Sequence, residues 1–180
     1  MGSHYLGPWR VDVEWRDDVE RLLPAAALAR VMAAALDAAG APRPASIGLI
    51  LADDAELAGL NAEHMGKDGP TDVLSFPLLP PDVFPPHPGR ETNFASEPPL
   101  AFALPPGRRP HLGDIVVSVE RAVEQAVQGR GGHTGDVRWD ARDELRLLVT
   151  HGTLHVCGWD HAEPEEEAAM RDLERRLLER

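Results

Sequence analysis

His151, His155 and His161 are three of the chain's eight histidines, and all lie in the stretch HGTLHVCGWDH. If that stretch begins as a helix, His151 and His155 stand one turn apart on one face, so two imidazoles can reach a single ion. Gly158 permits the tight or left-handed turn that ends such a helix. The chain can then double back and bring His161 in from another direction. Three nitrogens about 2 Å from one point leave the fourth tetrahedral position open, the arrangement of catalytic zinc. Three neutral imidazoles without a thiolate leave the ion's charge uncompensated, so it can acidify a bound water toward neutrality. We therefore expect one Zn2+ ion on His151, His155 and His161. A structural ion is the other reading, although structural sites usually take four protein ligands and favour Cys. Cys157 lies six residues past His151, off the histidine face, and is expected to pack as a small apolar group. Asp160 suits two roles, partner of an imidazole N–H or turn former.

The spacing also equals HExxHxxGxxH of the metzincin peptidases, but position 152 is Gly where those enzymes carry Glu. That Glu takes the proton from water and delivers it to the amine leaving group. Without it, a peptidase reading loses its proton carrier.

These side chains need a scaffold. The histidine helix is expected to start near Asp140, with Asp143 in capping-box position, and to end at Gly158. Residues 11–15 alternate apolar and polar as a strand, and residues 24–39 read as a helix stopped by Gly40 and Pro42. Residues 46–52, 72–78 and the LGDIVVSVE stretch read as three further strands. Asp53 or Asp54 caps a helix carrying Leu57, Leu60 and Asn61 toward Met65. Residues 118–128 form another helix, closed by GRGG. The tail opens with EPEEE and ends with RRLLER, which suits the helix dipole and reads as a solvated charged helix packed on one face. Glu167 with Arg171 and Asp172 with Arg176 have i,i+4 spacing. Residues 77–110 hold eleven of the seventeen prolines. Such a segment forms neither helix nor central strand, and the expectation is a solvated surface excursion.

At 180 residues the chain suits one domain, residues 1–180, with a proline-rich insertion at about 79–110. There is no apolar run long enough to span a membrane and no basic-then-apolar leader. One cysteine forms no internal disulfide, which fits a reducing cytoplasm. The net charge of −12 argues against a protein that coats nucleic acid with a broad basic surface, though not against a small cleft holding a divalent cation. His4, in the opening MGSH, is assigned no role.

Three blocks together resemble the bacterial YbeY endoribonucleases, the rRNA maturation factors. HGTLHVCGWDH is similar to that family's zinc motif, LN…GKDGPTDVLSFP (residues 60–77) to its second block, and LGDIVVS (residues 112–118) to its third. The resemblance covers about residues 45–178. It implies an α+β domain with a four-stranded mixed sheet, about five helices and a metzincin-like zinc helix. It implies a zinc-dependent, single-strand-specific endoribonuclease acting in small-subunit rRNA 3′-end maturation and ribosome quality control, with the small subunit or its proteins as partners. It also implies that Asn61, Lys67, Ser75 and Asp114 line or brace the cleft beside the ion. Many members carry arginine directly before the glycine matching Gly66, where this chain has Met65. Methionine lacks the planar fork of donors that suits a phosphate. Either Lys67 or an arginine from elsewhere supplies the charge, or the chemistry does not need it; Lys67 also reads as a plain loop lysine. Met65 also leaves open an assembly factor whose zinc is mainly structural.

Overall fold

A computed structural model describes residues 2–90, 109–128 and 139–179. Along the chain it places β1 (Gly2–Leu6), β2 (Trp9–Trp15), α1 (Ala25–Ala38), β3 (Ala45–Ala52), α2 (Asp54–Leu60), β4 (Val73–Pro77), β5 (His111–Ser118), α3 (Val119–Gln128), α4 (Ala141–Val156) and α5 (Pro164–Leu178). The most apolar stretches, β3 and β5, become neighbouring parallel strands inside the sheet. β2 joins β3 in parallel, while β1 and β4 close the two edges antiparallel, giving the order β1-β2-β3-β5-β4.

Strand alternation divides the core. Ile47, Leu49, Leu51, Ile115 and Val117 face the larger cluster, which contains side chains of α1, α4 and α5. Ala52, Leu74 and Val116 point the other way and pack with Leu57 of α2. The helix with the histidines therefore lies against β4 and β5 on the larger face, between α1, α3 and α5. Its start follows the sequence expectation: the Asp140 carboxylate accepts from the N–H groups of Arg142 and Asp143, and Asp143 returns the bond to the Asp140 N–H. Asp53, rather than Asp54, caps α2 through the Glu56 N–H.

The sheet has five strands where four were expected. The extra one is β1, which includes His4, the histidine assigned no role. It pairs Gly2 with Val13 through Leu6 with Trp9, across a two-residue turn of Gly7 and Pro8 in which Gly7 takes φ 58. β1 is an edge strand and mostly exposed, so no apolar alternation marks it in the sequence.

The described part of the proline-rich segment is docked, not free in solvent. Residues 81–83 form a single 3-10 turn, Phe84 is 3% exposed within the main core, and His87 bridges to Arg90. Residues 91–108 of that segment and the GRGG stretch lie outside the described residues. The tail helix α5 is also less solvated than its composition suggested, since Glu166 and Glu174 are buried beside Met170 and Leu173. Glu167 pairs with Arg171 as its spacing predicts, whereas Asp172 pairs with Arg175, one residue nearer than the expected Arg176. No described helix is long and apolar enough to cross a membrane.

Candidate metal centre

α4 carries both His151 and His155, and it ends with Cys157 at the C-cap and Gly158 at φ 81, a region that favours glycine. The chain then reverses and brings His161 back toward the first two. Ligand nitrogens of His151, His155 and His161 all lie within 4.8 Å of one another. The Nε2 atoms of His151 and His155 are 3.0 Å apart, and the His161 ring centre stands 5.6 Å from that of His151 and 5.1 Å from that of His155. Two nitrogens each about 2.0–2.1 Å from one tetrahedral ion would be separated by about 3.3 Å. The arrangement is close to what a shared cation needs.

Protonation points the same way. His151 Nδ1 lies 2.7 Å from Oε1 of Glu174, which is 3% exposed on α5. A carboxylate only accepts, so Nδ1 of His151 donates to Glu174, which turns Nε2 toward His155. His155 is held down at about 4, first by burial and then by neighbouring His151 and His161, against a raising hydrogen bond with the Trp159 backbone. At neutral pH its ring is uncharged, the state in which an imidazole can bind a metal. Cys157, fully buried, has its thiol pushed up to about 12 by burial. It stays protonated and stands outside the cluster, as its spacing indicated.

The triad borders an open cleft of about 660 Å³ whose opposite wall is the segment from Asn61 to Ser75. Residues 61–65 extend α2 as one π turn, ended by Gly66 at φ 63. Asn61 Nδ2 donates to Gly69 O at 2.9 Å and so holds the loop that follows. Ser75 Oγ donates to Gly152 O at 3.1 Å, bracing α4 on the edge strand. Lys67 lines the cleft, as does Met65, whose side chain is 46% exposed. Asp160 lines it too, and its Oδ1 accepts from the His161 N–H at 2.8 Å, which shapes the turn; among the described residues no imidazole N–H donates to it.

Asp114 does not belong to the cleft. Its β4 partner is Phe76, while Ser75 is opposite Ile115, so alternation turns Asp114 to the face away from α4. There it meets His111 Nε2 at 3.1 Å and fills the space beside Gly48.

Gly152 proves to be a packing residue. A Cβ there would stand 2.6 Å from Ile115 Cγ2 and 3.0 Å from Val73 Cγ2. The position that holds the metzincin glutamate is pressed onto the sheet, with no space for a side chain.

Sequence reasoning missed Glu174, read as one charge of a solvated helix. Its signal was positional: Glu166, Met170, Leu173, Glu174 and Leu177 share one helical face, and two acids among apolar residues there require partners.

A sequence model described as endoribonuclease YbeY matches residues 12–180. Endoribonuclease YbeY of Salinispora tropica is 43% identical over 145 residues, covering 80% of this chain and 79% of that one. Its counterpart in Thermobifida fusca is 38% identical over 151 residues, covering 84% and 81%. A solution structure of a Thermotoga maritima protein superposes with a TM-score of 0.50 at 22% identity, covering 94% of this chain and 87% of the other, a likeness of fold alone. With the histidine cluster, the cleft and these matches together, the chain belongs to the endoribonuclease YbeY family.

Proposed function

We propose that this chain is a zinc-dependent endoribonuclease that cleaves single-stranded RNA, acting on the 3′ end of small-subunit rRNA and in ribosome quality control in the cytoplasm. The carrying observation is the convergence of three imidazoles, His151, His155 and His161, on the edge of an open cleft. When bound, zinc supplies a Lewis acid that polarises a phosphate oxygen and lowers the pKa of water. His151 is oriented for that ion by Glu174, and His155 offers a neutral ring without first losing a proton. Ser75 holds the helix carrying both, and Asn61 shapes the facing wall.

The charge of the cleft supports a part for a cation in admitting RNA. Among the described residues that line it, one lysine, Lys67, stands against three aspartates, Asp68, Asp72 and Asp160. One positive and three negative charges leave two net negative charges, which a dication cancels. Lys67 is then the side chain nearest in kind to a phosphate partner, and placement of the substrate falls to the ribosomal particle.

Replacing His155 with Ala removes the metal and the cleavage together, followed by elemental analysis and a single-stranded RNA assay. Full cleavage by metal-depleted protein would refute the proposal. Met65, exposed where an arginine would supply a fork of donors, favours a second reading: an assembly factor whose ion is mainly structural. Single-turnover cleavage of a precursor rRNA end inside the particle, with and without metal, separates the two.

A further inference from the structure

α4 sets the positions of His151 and His155 through regular helical hydrogen bonds, but His161 lies beyond the helix. The helix end holds the chain as far as Trp159, whose N–H donates to Leu154 O at 3.1 Å. The His161 N–H is turned to the neighbouring Asp160 carboxylate, a local bond that ties it to nothing else in the fold. Where the third imidazole stands therefore depends on what grips residues 158–160.

We infer that residues 84–90 of the proline-rich segment, acting with Glu166 of α5, form a strap that positions His161 as the third metal ligand; the inference rests on the metal reading proposed above.

Four contacts carry it. Arg90 Nη1 donates to Gly158 O at 2.9 Å. The His87 ring stacks on the Trp159 indole, with ring centres 3.9 Å apart and planes 11° from parallel. Glu166 Oε1 accepts from the Asp160 N–H at 2.9 Å, and the same oxygen lies 2.7 Å from His87 Nε2. One buried carboxylate thus ties the strap to the residue before the ligand. A carboxylate oxygen has no proton to give, so Nε2 of His87 donates. Its Nδ1 is buried with no hydrogen-bond partner among the described residues.

The strap is itself anchored. Phe84 is in the main core, and Gly89, at φ 82, lies so close to α5 that a Cβ would stand 2.4 to 2.6 Å from the Glu166 N, Cα and Cβ. Neither feature would be needed by a loop that merely crosses the surface. The device explains why a proline-rich stretch is partly packed: prolines limit the freedom of a segment that must present His87 and Arg90 in one place.

The test measures zinc affinity by chelator competition, together with the visible absorption of the Co2+-substituted protein, in the full chain. Glu166→Ala severs both bonds of the carboxylate. Gly89→Ala pushes the strap off α5 while leaving every ligand and the Glu166 side chain intact. Both should weaken zinc binding by about tenfold or more, the range for partners that orient ligands. Both should also alter the Co2+ spectrum, because the ligand geometry changes. Glu166→Gln, whose amide oxygen still accepts from the Asp160 N–H, should recover most of the affinity. Circular dichroism and thermal unfolding of the metal-free variants establish that they are folded. If folded Glu166→Ala and Gly89→Ala bind zinc within about twofold of the parent with its Co2+ spectrum, the strap does not position His161. If the parent itself binds no metal, the metal reading fails and this inference falls with it, an outcome distinguishable from the first.

Discussion

Replacing Gly152 with alanine sets two effects of opposite sign against each other. Gly to Ala inside a helix ordinarily stabilises by about 1 kcal/mol, because glycine loses more backbone freedom on folding. Here the new methyl would stand 2.6 Å from Ile115 Cγ2, 3.0 Å from Val73 Cγ2 and 3.3 Å from Ser75 Oγ. Ile115 is fully buried, and both methyls branch from Cβ, where rotamers are stiff and cannot swing clear. The upper part of the overpacking range therefore applies, about 3 kcal/mol, and the net loss is about 2 kcal/mol. For a chain of this size that is a fall in Tm of about 4–8 °C, read by thermal unfolding of the metal-free protein. Zinc affinity should fall in parallel, because relief of the clash lifts α4, which bears His151 and His155, away from the sheet. In an Ile115→Ala background the nearest methyl is gone, and the same change should then shift stability by less than about 1 kcal/mol. A Gly152→Ala variant as stable as the parent, or an effect equal in both backgrounds, would refute this account of the helix–sheet contact.

Other expectations follow from single contacts. Glu174→Ala should weaken zinc binding by about tenfold to a hundredfold in chelator competition, because His151 loses the acceptor that sets its proton on Nδ1. The metal-free protein should lose stability as pH falls from about 6.5 to 4. His155 binds its proton at about 4 when folded and at 6.5 when unfolded, so the unfolded chain takes up more protons across that window. The effect is at most about 3 kcal/mol, by urea unfolding at several pH values, and His155→Gln should lack it. Cys157, buried with its thiol pushed up to about 12, should resist thiol reagents until the protein unfolds, and Cys157→Ala should keep its zinc.

Much of the fold could be read from local patterns. The Asp140 capping box, the β-branched runs of β3 and β5, and the i,i+4 histidines each depend on neighbours a few residues away, and each reappears in the structure. β1 was hidden because an edge strand with little burial leaves no alternation to detect. Asp114 was misplaced because a motif says which residues accompany one another, whereas strand parity decides the face, and one position separates Asp114 from Ile115 on the α4 side. Glu166 and Glu174 resembled the other acids of α5 in composition, and only burial distinguishes them.

The sequence by itself determined which side chains can take a metal, that two of them share a helix face and that glycine at position 152 leaves no general base there. Those facts depend on residue type and helical period, which are local. The tertiary structure alone decided the partners: Glu174 against His151, the strap of residues 84–90 over the turn before His161, and Ile115 against Gly152. Each of these contacts joins residues more than twenty positions apart. They are set by how helices pack on the twisted sheet, and no period in the chain encodes them.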